Sequence, residues 1–175
     1  YELKWSNGCL FACDYCYLKG TFRWQGWKGK AQTVFSNFDD LEREVEDFLK
    51  LKQSYVLHTG EVSDSLAVLG SEKLMARLIE RFAEQDRHTL LLLTKSNNVG
   101  WLLDVPHNGM TVIGFSLNPE SVARKYEIGV PTTEERLIAA QKCVDADYKV
   151  VIRVDPMIPV DSWERDYAYL FDKLN

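Results

Sequence analysis

The chain has 175 residues, enough for one domain with a real core, and its 46% apolar and 27% charged residues are ordinary for a globular fold. A net charge of −5 argues against a general nucleic-acid coat, and no apolar run approaches membrane-spanning length. The four cysteines do not form a disulfide framework and no secretory or transit segment is visible, so a reducing, cytoplasmic setting is expected.

Strand and helix signals alternate at short intervals, the mark of parallel α/β units. Glu2–Trp5 reads as a short strand feeding a cysteine-bearing loop. Asn37 is placed as an N-cap, followed at helical spacing by Leu41, Val45, Phe48 and Leu49. Tyr55–His58 is the next strand, and Ser71 caps a helix carrying Leu74, Met75, Leu78, Ile79 and Phe82. Thr89–Thr94 is a continuous apolar run, typical of a strand buried on both faces. A short helix is expected over Trp101–Leu103 and a strand over Thr111–Phe115. Thr132 with Glu135 spells a capping box before Leu137, Ala140 and Val144. Val150–Val154 is a further strand, and Asp161 with Glu164 caps a last helix bearing Trp163, Tyr167, Leu170, Phe171 and Leu174. These make about five βα units in a single domain over residues 1–175, fewer than a closed eight-fold barrel needs. A doubly wound sheet also fits the alternation, but its glycine-rich phosphate turn is replaced here by cysteines. The chain opens on Tyr1 and stops within a helix-like segment, so a piece of a longer protein is expected.

Cys9, Cys13 and Cys16 are spaced C-x3-C-x2-C directly after the first strand. Four cysteines close a zinc site, usually from paired C-x2-C knuckles. This chain has one knuckle, one further cysteine beside it, and Cys143 far away beside an apolar helix face. Thiolates also hold iron–sulfur clusters, and three ligands on a four-iron cluster leave one iron open. In barrels of parallel strands, active sites lie at the carboxyl ends of the strands. After the second strand stand Gly60 and Glu61, suited to close backbone approach and to accepting from an ammonium. Lys95 follows the third strand, Ser116 and Asn118 the fourth, and Arg153 and Asp155 the fifth. Each has a plain structural reading as well: a snorkelling lysine, turn formers, an exposed ion pair. His58, His88 and His107 give no metal-binding pattern. Between Lys19 and Lys30 four cations (Lys19, Arg23, Lys28, Lys30) are interleaved with Phe22, Trp24 and Trp27. That pattern suits either base stacking and phosphate contact or a solvated loop covering a barrel rim.

The cysteine run, with aromatic Tyr15 just before its last cysteine, resembles the motif of radical S-adenosylmethionine (SAM) enzymes. Gly60-Glu61 resembles their Gly-Gly-Glu motif, with Thr59 in place of the first glycine. Gly8–Leu18, Leu93–Lys95, Phe115–Asn118, Tyr126–Gly129 and Trp163–Glu164, in that order, resemble the spore photoproduct lyase family within that superfamily. The resemblance implies an α/β partial (β/α)6 TIM-like barrel of the radical SAM type, here expected to be truncated at its C-terminus. It implies a 4Fe–4S cluster on Cys9, Cys13 and Cys16, and SAM held by Gly60, Glu61, Lys95, Ser116, Asn118 and Arg153. An external electron donor of flavodoxin or ferredoxin type follows from the same resemblance, and DNA is a candidate partner. Tyr15 and Tyr17 match the family's tyrosines as catalytic candidates, and Tyr17 matches the one on its radical-relay path. One departure bears on the substrate. Aligning Ser63-Asp64 with the family's Ser-Asp puts Glu61 where the family has a hydrogen-donating cysteine. The resemblance therefore points to SAM cleavage acting on an unknown substrate. Photoproduct repair of DNA and a zinc- or nucleic-acid-binding module without turnover are the alternatives.

Overall fold

The computed structural model describes residues 1–20 and 33–174. The aromatic positions Phe22, Trp24 and Trp27 and the cations Arg23, Lys28 and Lys30 lie outside the described residues. In chain order the elements are β1 (Ser6–Asn7), β2 (Ala12–Cys13), β3 (Thr33–Val34), α1 (Phe38–Leu49), β4 (Val56–His58), α2 (Glu72–Ala83) and β5 (Thr89–Thr94). Then follow β6 (Thr111–Ser116), α3 (Glu120–Tyr126), β7 (Glu127–Ile128), α4 (Thr133–Asp145), β8 (Lys149–Arg153) and α5 (Trp163–Asp172).

Strands β4, β5, β6 and β8 form one parallel sheet in that order; α2 crosses over from β4 to β5, turns join β5 to β6, and α3 and α4 lie between β6 and β8. The register puts Leu93 beside Gly114 and Gly114 beside Val151, and Ser116 beside Arg153 at the carboxyl end. The expected strand at Glu2–Trp5 is reduced to one parallel bridge, Glu2 to His58. Leu3 N–H donates to the His58 carbonyl at 2.8 Å, but Trp5 has turned away and its carbonyl accepts from Phe35 N–H. From there β1 pairs antiparallel with β3, which sends the chain into the cysteine loop. The Trp5 indole donates to the Thr59 carbonyl at 3.0 Å and so ties that loop's base to the end of β4.

On β5, Leu90 and Leu92 are buried in the core and Thr94 is buried at the strand end, whereas Leu91 and Leu93 are only half-buried. The expectation of burial on both faces is corrected: the inner face borders an open cavity. Phe48 of α1 and Met75, Ile79 and Phe82 of α2 complete the core with Ile113 and Phe115 of β6. Gly114 makes room for this inner face, since a Cβ there would stand 2.6 Å from the Leu93 Cδ2.

Several local expectations are corrected. The Trp101–Leu103 segment forms turns rather than a helix. Asn37 and Ser71 sit at helix starts without capping through their side chains; the Ser71 hydroxyl donates instead to the Val68 carbonyl at 2.7 Å. The last helix begins after Ser162, which takes a left-handed conformation at φ 63°, and the Asp161–Glu164 box does not form. The Thr132–Glu135 capping box does form. On α4, however, the buried residues are Thr133, Arg136, Ala139, Ala140 and Cys143, while Val144 is about half exposed. The inward face is turned away from the apolar stripe because Arg136 has buried partners.

Candidate active site

The carboxyl ends of the parallel strands open into a cavity of about 400 Å³. One wall is the cysteine loop, with Cys9, Cys13, Cys16, Tyr15 and Tyr17; the other is built by residues at the ends of all four strands. Gly60, Glu61, Lys95, Ser116 and Arg153 all line it, so parallel pairing gathers five of the six residues expected to bind SAM. Asn118 is the exception. It is buried, its amide donates to Glu127 Oε1 at 3.1 Å, and its carbonyl accepts from the Tyr167 hydroxyl at 2.8 Å.

Gly8, at φ 88°, turns the chain into the loop, and its N–H donates to the Val62 carbonyl at 2.9 Å. Short β2 then pairs antiparallel with β7, placing Cys13 opposite Glu127. Asp14 N–H donates to the Tyr126 carbonyl at 2.7 Å, and Cys16 N–H closes a turn onto the Cys13 carbonyl at 3.2 Å. None of the cysteines is in a disulfide. Burial, followed by the nearby Asp64 carboxylate, pushes the Cys9 thiol up to about 12, and burial pushes Cys13 up to about 11. As bare thiols they stay protonated, and a cationic metal centre is what would hold them as thiolates. Among the described residues no three His, Cys, Asp or Glu side chains gather around one point, as a single zinc ion would require. A cluster makes no such demand, since each thiolate takes a different iron. The donor set fits a cluster.

Asp64, which in the sequence serves only to align the loop, is buried at the cavity edge. It accepts from Leu66 N–H and Ala67 N–H, from the Thr94 hydroxyl at 2.7 Å and from Lys95 N–H at 2.6 Å. Burial pushes its carboxyl up, and these four bonds pull the other way. The contacts fasten the loop after β4 to the end of β5. Gly60 belongs to the same seam: a Cβ there would stand 2.7 Å from the Leu93 Cβ. The glycine is therefore required by close packing of the loop on β5.

Lys95 places its ammonium 5.6 Å from the centre of the Tyr15 ring. Glu61 is half exposed, with its carboxylate 3.6 Å from His58 Nε2, and its backbone carbonyl accepts from the Tyr17 hydroxyl at 2.6 Å. Burial, then the Glu61 carboxylate, raises the Tyr17 phenol above its usual range. Arg153 and Asp155 form a loose exposed pair at 3.6 Å.

Behind Tyr15 lies the second group that sequence reading missed. The Tyr15 hydroxyl donates to Glu127, which also receives Arg136 Nη2 at 2.6 Å, with both charged side chains fully buried. Burial, then this bond to Glu127, raises the Tyr15 phenol well above the ordinary range, so it stays the neutral donor. The only sequence hint was the Tyr126–Gly129 run, whose acid looks like a surface residue until its partners are known. His88 and His107 stand away from the cavity, His88 against Phe48 and Tyr55, and His107 stacked on Tyr148. Cys143 is buried in the core. No helix among the described residues is long and apolar enough to cross a membrane.

Residues 1–175 match the family described as spore photoproduct lyase. Spore photoproduct lyase of Bacillus subtilis (strain 168) is 31% identical over 178 residues, covering 100% of this chain and 51% of that protein. A solved structure of spore photoproduct lyase complexed with dinucleoside spore photoproduct superposes with a TM-score of 0.90 at 30% identity, covering 99% of this chain and 51% of that one. A mutant of the lyase with bound AdoMet and dinucleoside spore photoproduct gives the same TM-score, identity and coverage. The chain spans about half the length of the curated relatives it matches. A tagged form of anSMEcpe with bound AdoMet, 18% identical and covering 86% of this chain and 40% of that one, shares the fold at a TM-score of 0.60.

Proposed function

We propose, since this chain belongs to the spore photoproduct lyase family, that its strand-end cavity is a radical SAM active site working on a substrate that the fold leaves open. The observation that carries the reading is the convergence of three free cysteines and the polar ends of four parallel strands on one cavity of about 400 Å³. Cys9, Cys13 and Cys16 would hold a 4Fe–4S cluster and leave one iron for SAM. When bound, the pair supplies reductive cleavage of SAM to methionine and a 5′-deoxyadenosyl radical that takes a hydrogen atom from the substrate, with the electron coming from a flavodoxin- or ferredoxin-type donor.

The chain's own residues bind and orient. Glu61 accepts from the SAM ammonium, while Lys95 and Arg153 offer cations to its carboxylate. Ser116, register neighbour of Arg153, offers a hydroxyl to the ribose or carboxylate. Tyr17, on the cysteine loop, lines the cavity and donates to the Glu61 carbonyl, and it is the candidate for the radical relay. Asn118 acts from behind the wall, through Glu127. Anaerobic reconstitution, an absorption spectrum and an assay for 5′-deoxyadenosine test the reading. Alanine at Cys9, Cys13 or Cys16 should abolish the brown colour, and Cys143→Ala should leave iron content unchanged. Cluster loss on Cys143→Ala alone would overturn the three-ligand site.

Photoproduct repair is the second reading, favoured by the family match and by relatives solved with dinucleoside spore photoproduct. Against it stands Glu61, which occupies the aligned place of the family's donor thiol, and a carboxylate cannot deliver a hydrogen atom as a weak S–H bond can. Wild-type protein is expected to leave a thymine photoproduct dinucleotide unconverted. Repair gained by Glu61→Cys would show the lyase scaffold with its last step removed; clean repair by wild type would make this second reading the right one.

A further inference from the structure

Three successive residues of the cysteine loop are gripped by one short segment. Cys13 lies opposite Glu127 in the β2–β7 pair, Asp14 N–H donates to the Tyr126 carbonyl, and the Tyr15 hydroxyl donates to the Glu127 carboxylate. The thiols of Cys13 and Cys16 bracket this grip. Glu127 is itself immobilised, since Asn118 Nδ2 and Arg136 Nη2 donate to its two oxygens at 3.1 and 2.6 Å. Arg136 is anchored in turn by the Ser116 carbonyl at 2.7 Å. On the other side, Asn118 accepts from Tyr167, whose oxygen accepts from Ile158 N–H at 2.9 Å. The chain of bonds thus joins the cysteine loop to the end of β6 and to the segment beyond β8, and Glu127, Asn118, Arg136 and Tyr167 are all buried.

We propose that Glu127 is the positioning residue of the cysteine loop: through the Tyr15 hydroxyl it fixes where the Cys13 and Cys16 thiols stand relative to the strand ends. The proposal rests on the reading that these thiols are ligands. It separates the two tyrosines, Tyr15 serving as the loop's handle and Tyr17 facing the open side at Glu61. Fixing thiols before any cluster is present is the preorganisation a multi-thiolate site needs, because each ligand must already stand in place. Cys9 lies outside the grip, secured through Gly8 and Val62.

The test is thiol reactivity in the metal-free protein. Pulses of N-ethylmaleimide are followed by mass spectrometry at each cysteine, in wild type, Tyr15→Phe and Glu127→Gln. Tyr15→Phe removes one hydroxyl and keeps the ring under Lys95, so it serves even if Glu127→Gln fails to fold. Modification of Cys13 and Cys16 should quicken at least fivefold in Tyr15→Phe, with Cys9 and core Cys143 changing less than twofold. Rates at Cys13 and Cys16 unchanged from wild type would overturn the proposal. So would a matched rise at Cys143, which reports loosening of the whole fold. Reconstituted Tyr15→Phe should also carry the wild-type iron content with a shifted electron paramagnetic resonance signal. If wild type takes up no cluster, the functional reading falls while the thiol pattern still decides this one.

Discussion

Two ion pairs stand beside the cavity, one behind its wall and one on its rim, and they differ in burial and in separation. Behind the cysteine loop, Arg136 and Glu127 meet at 2.6 Å with both side chains 0% exposed. At the end of β8, Arg153 and Asp155 stand 3.6 Å apart with side chains 47% and 71% exposed. A buried pair is costly to halve, because the partner left behind is a charge without water. An exposed pair at that separation is screened and gains little. The cysteine wall is therefore held by the protein's own electrostatics, whereas the strand-end wall leaves its charges for something else to use. Glu61 and Lys95 share that second condition: one is half exposed beside His58, the other extends over an aromatic ring. A site that must hold reactive groups still on one side and receive a charged ligand on the other is built this way.

The largest effect should come from breaking the buried pair. Arg136→Met leaves Glu127 without its cation and should cost about 3–5 kcal/mol in urea unfolding. The double change Arg136→Met with Glu127→Leu should recover part of that loss, since it removes both charges. A double variant no more stable than Arg136→Met would show that the neutral partners carry the energy, the Ser116 and Thr132 carbonyls for Arg136 and Tyr15 and Asn118 for Glu127, and the contrast between the walls would lose its electrostatic basis.

A smaller effect is expected at Glu61. Losing half of a fully buried charged pair costs several kcal/mol, but this carboxylate is 54% exposed and water softens the loss. Glu61→Gln should weaken SAM binding to the cluster-loaded protein about tenfold, equivalent to roughly 1.4 kcal/mol, with iron content unchanged. An unaltered dissociation constant by calorimetry would return Glu61 to an ordinary loop carboxylate.

The contrast between the walls also explains what could be read from the sequence. The strands and helices that make the open wall carry long periodic signals, and polar residues at their carboxyl ends were found because parallel strands end together. Glu61, Lys95, Ser116 and Arg153 were legible for that reason. Glu127 was not. It begins a two-residue strand whose partner lies more than a hundred residues earlier, too short for any periodic signal. Arg136 interrupts the apolar pattern of α4, and the sequence offers Leu137 and Val144 as the more natural inward residues. Only the tertiary fold shows that the helix turns a charge inward and leaves Val144 half exposed. Asp64 is visible in the sequence as half of the Ser63-Asp64 pair, but its bonds to Thr94 and Lys95, about thirty residues on, are not. Buried polar networks rest on contacts between distant segments, and local propensity carries no trace of them.

The smallest effect should be at Arg153, and it is the sharpest check on the open wall. At about 4 Å two charges in water attract by roughly 1 kcal/mol, and ordering two long side chains offsets much of that. Arg153 sits on β8, and the strand's backbone bonds to β6 do not depend on its side chain. Arg153→Ala should therefore shift the unfolding free energy by less than about 1 kcal/mol, and even that should shrink in 1 M salt as the charges are screened. The same variant should bind SAM more weakly, because the proposed site gives this arginine the SAM carboxylate to hold. A loss above about 2 kcal/mol would place Arg153 among the structural charges, beyond what an exposed pair supplies, and the two walls would then be held alike. Wild-type stability together with wild-type SAM affinity would leave β8 out of the binding wall and shift its work to Lys95 and Ser116.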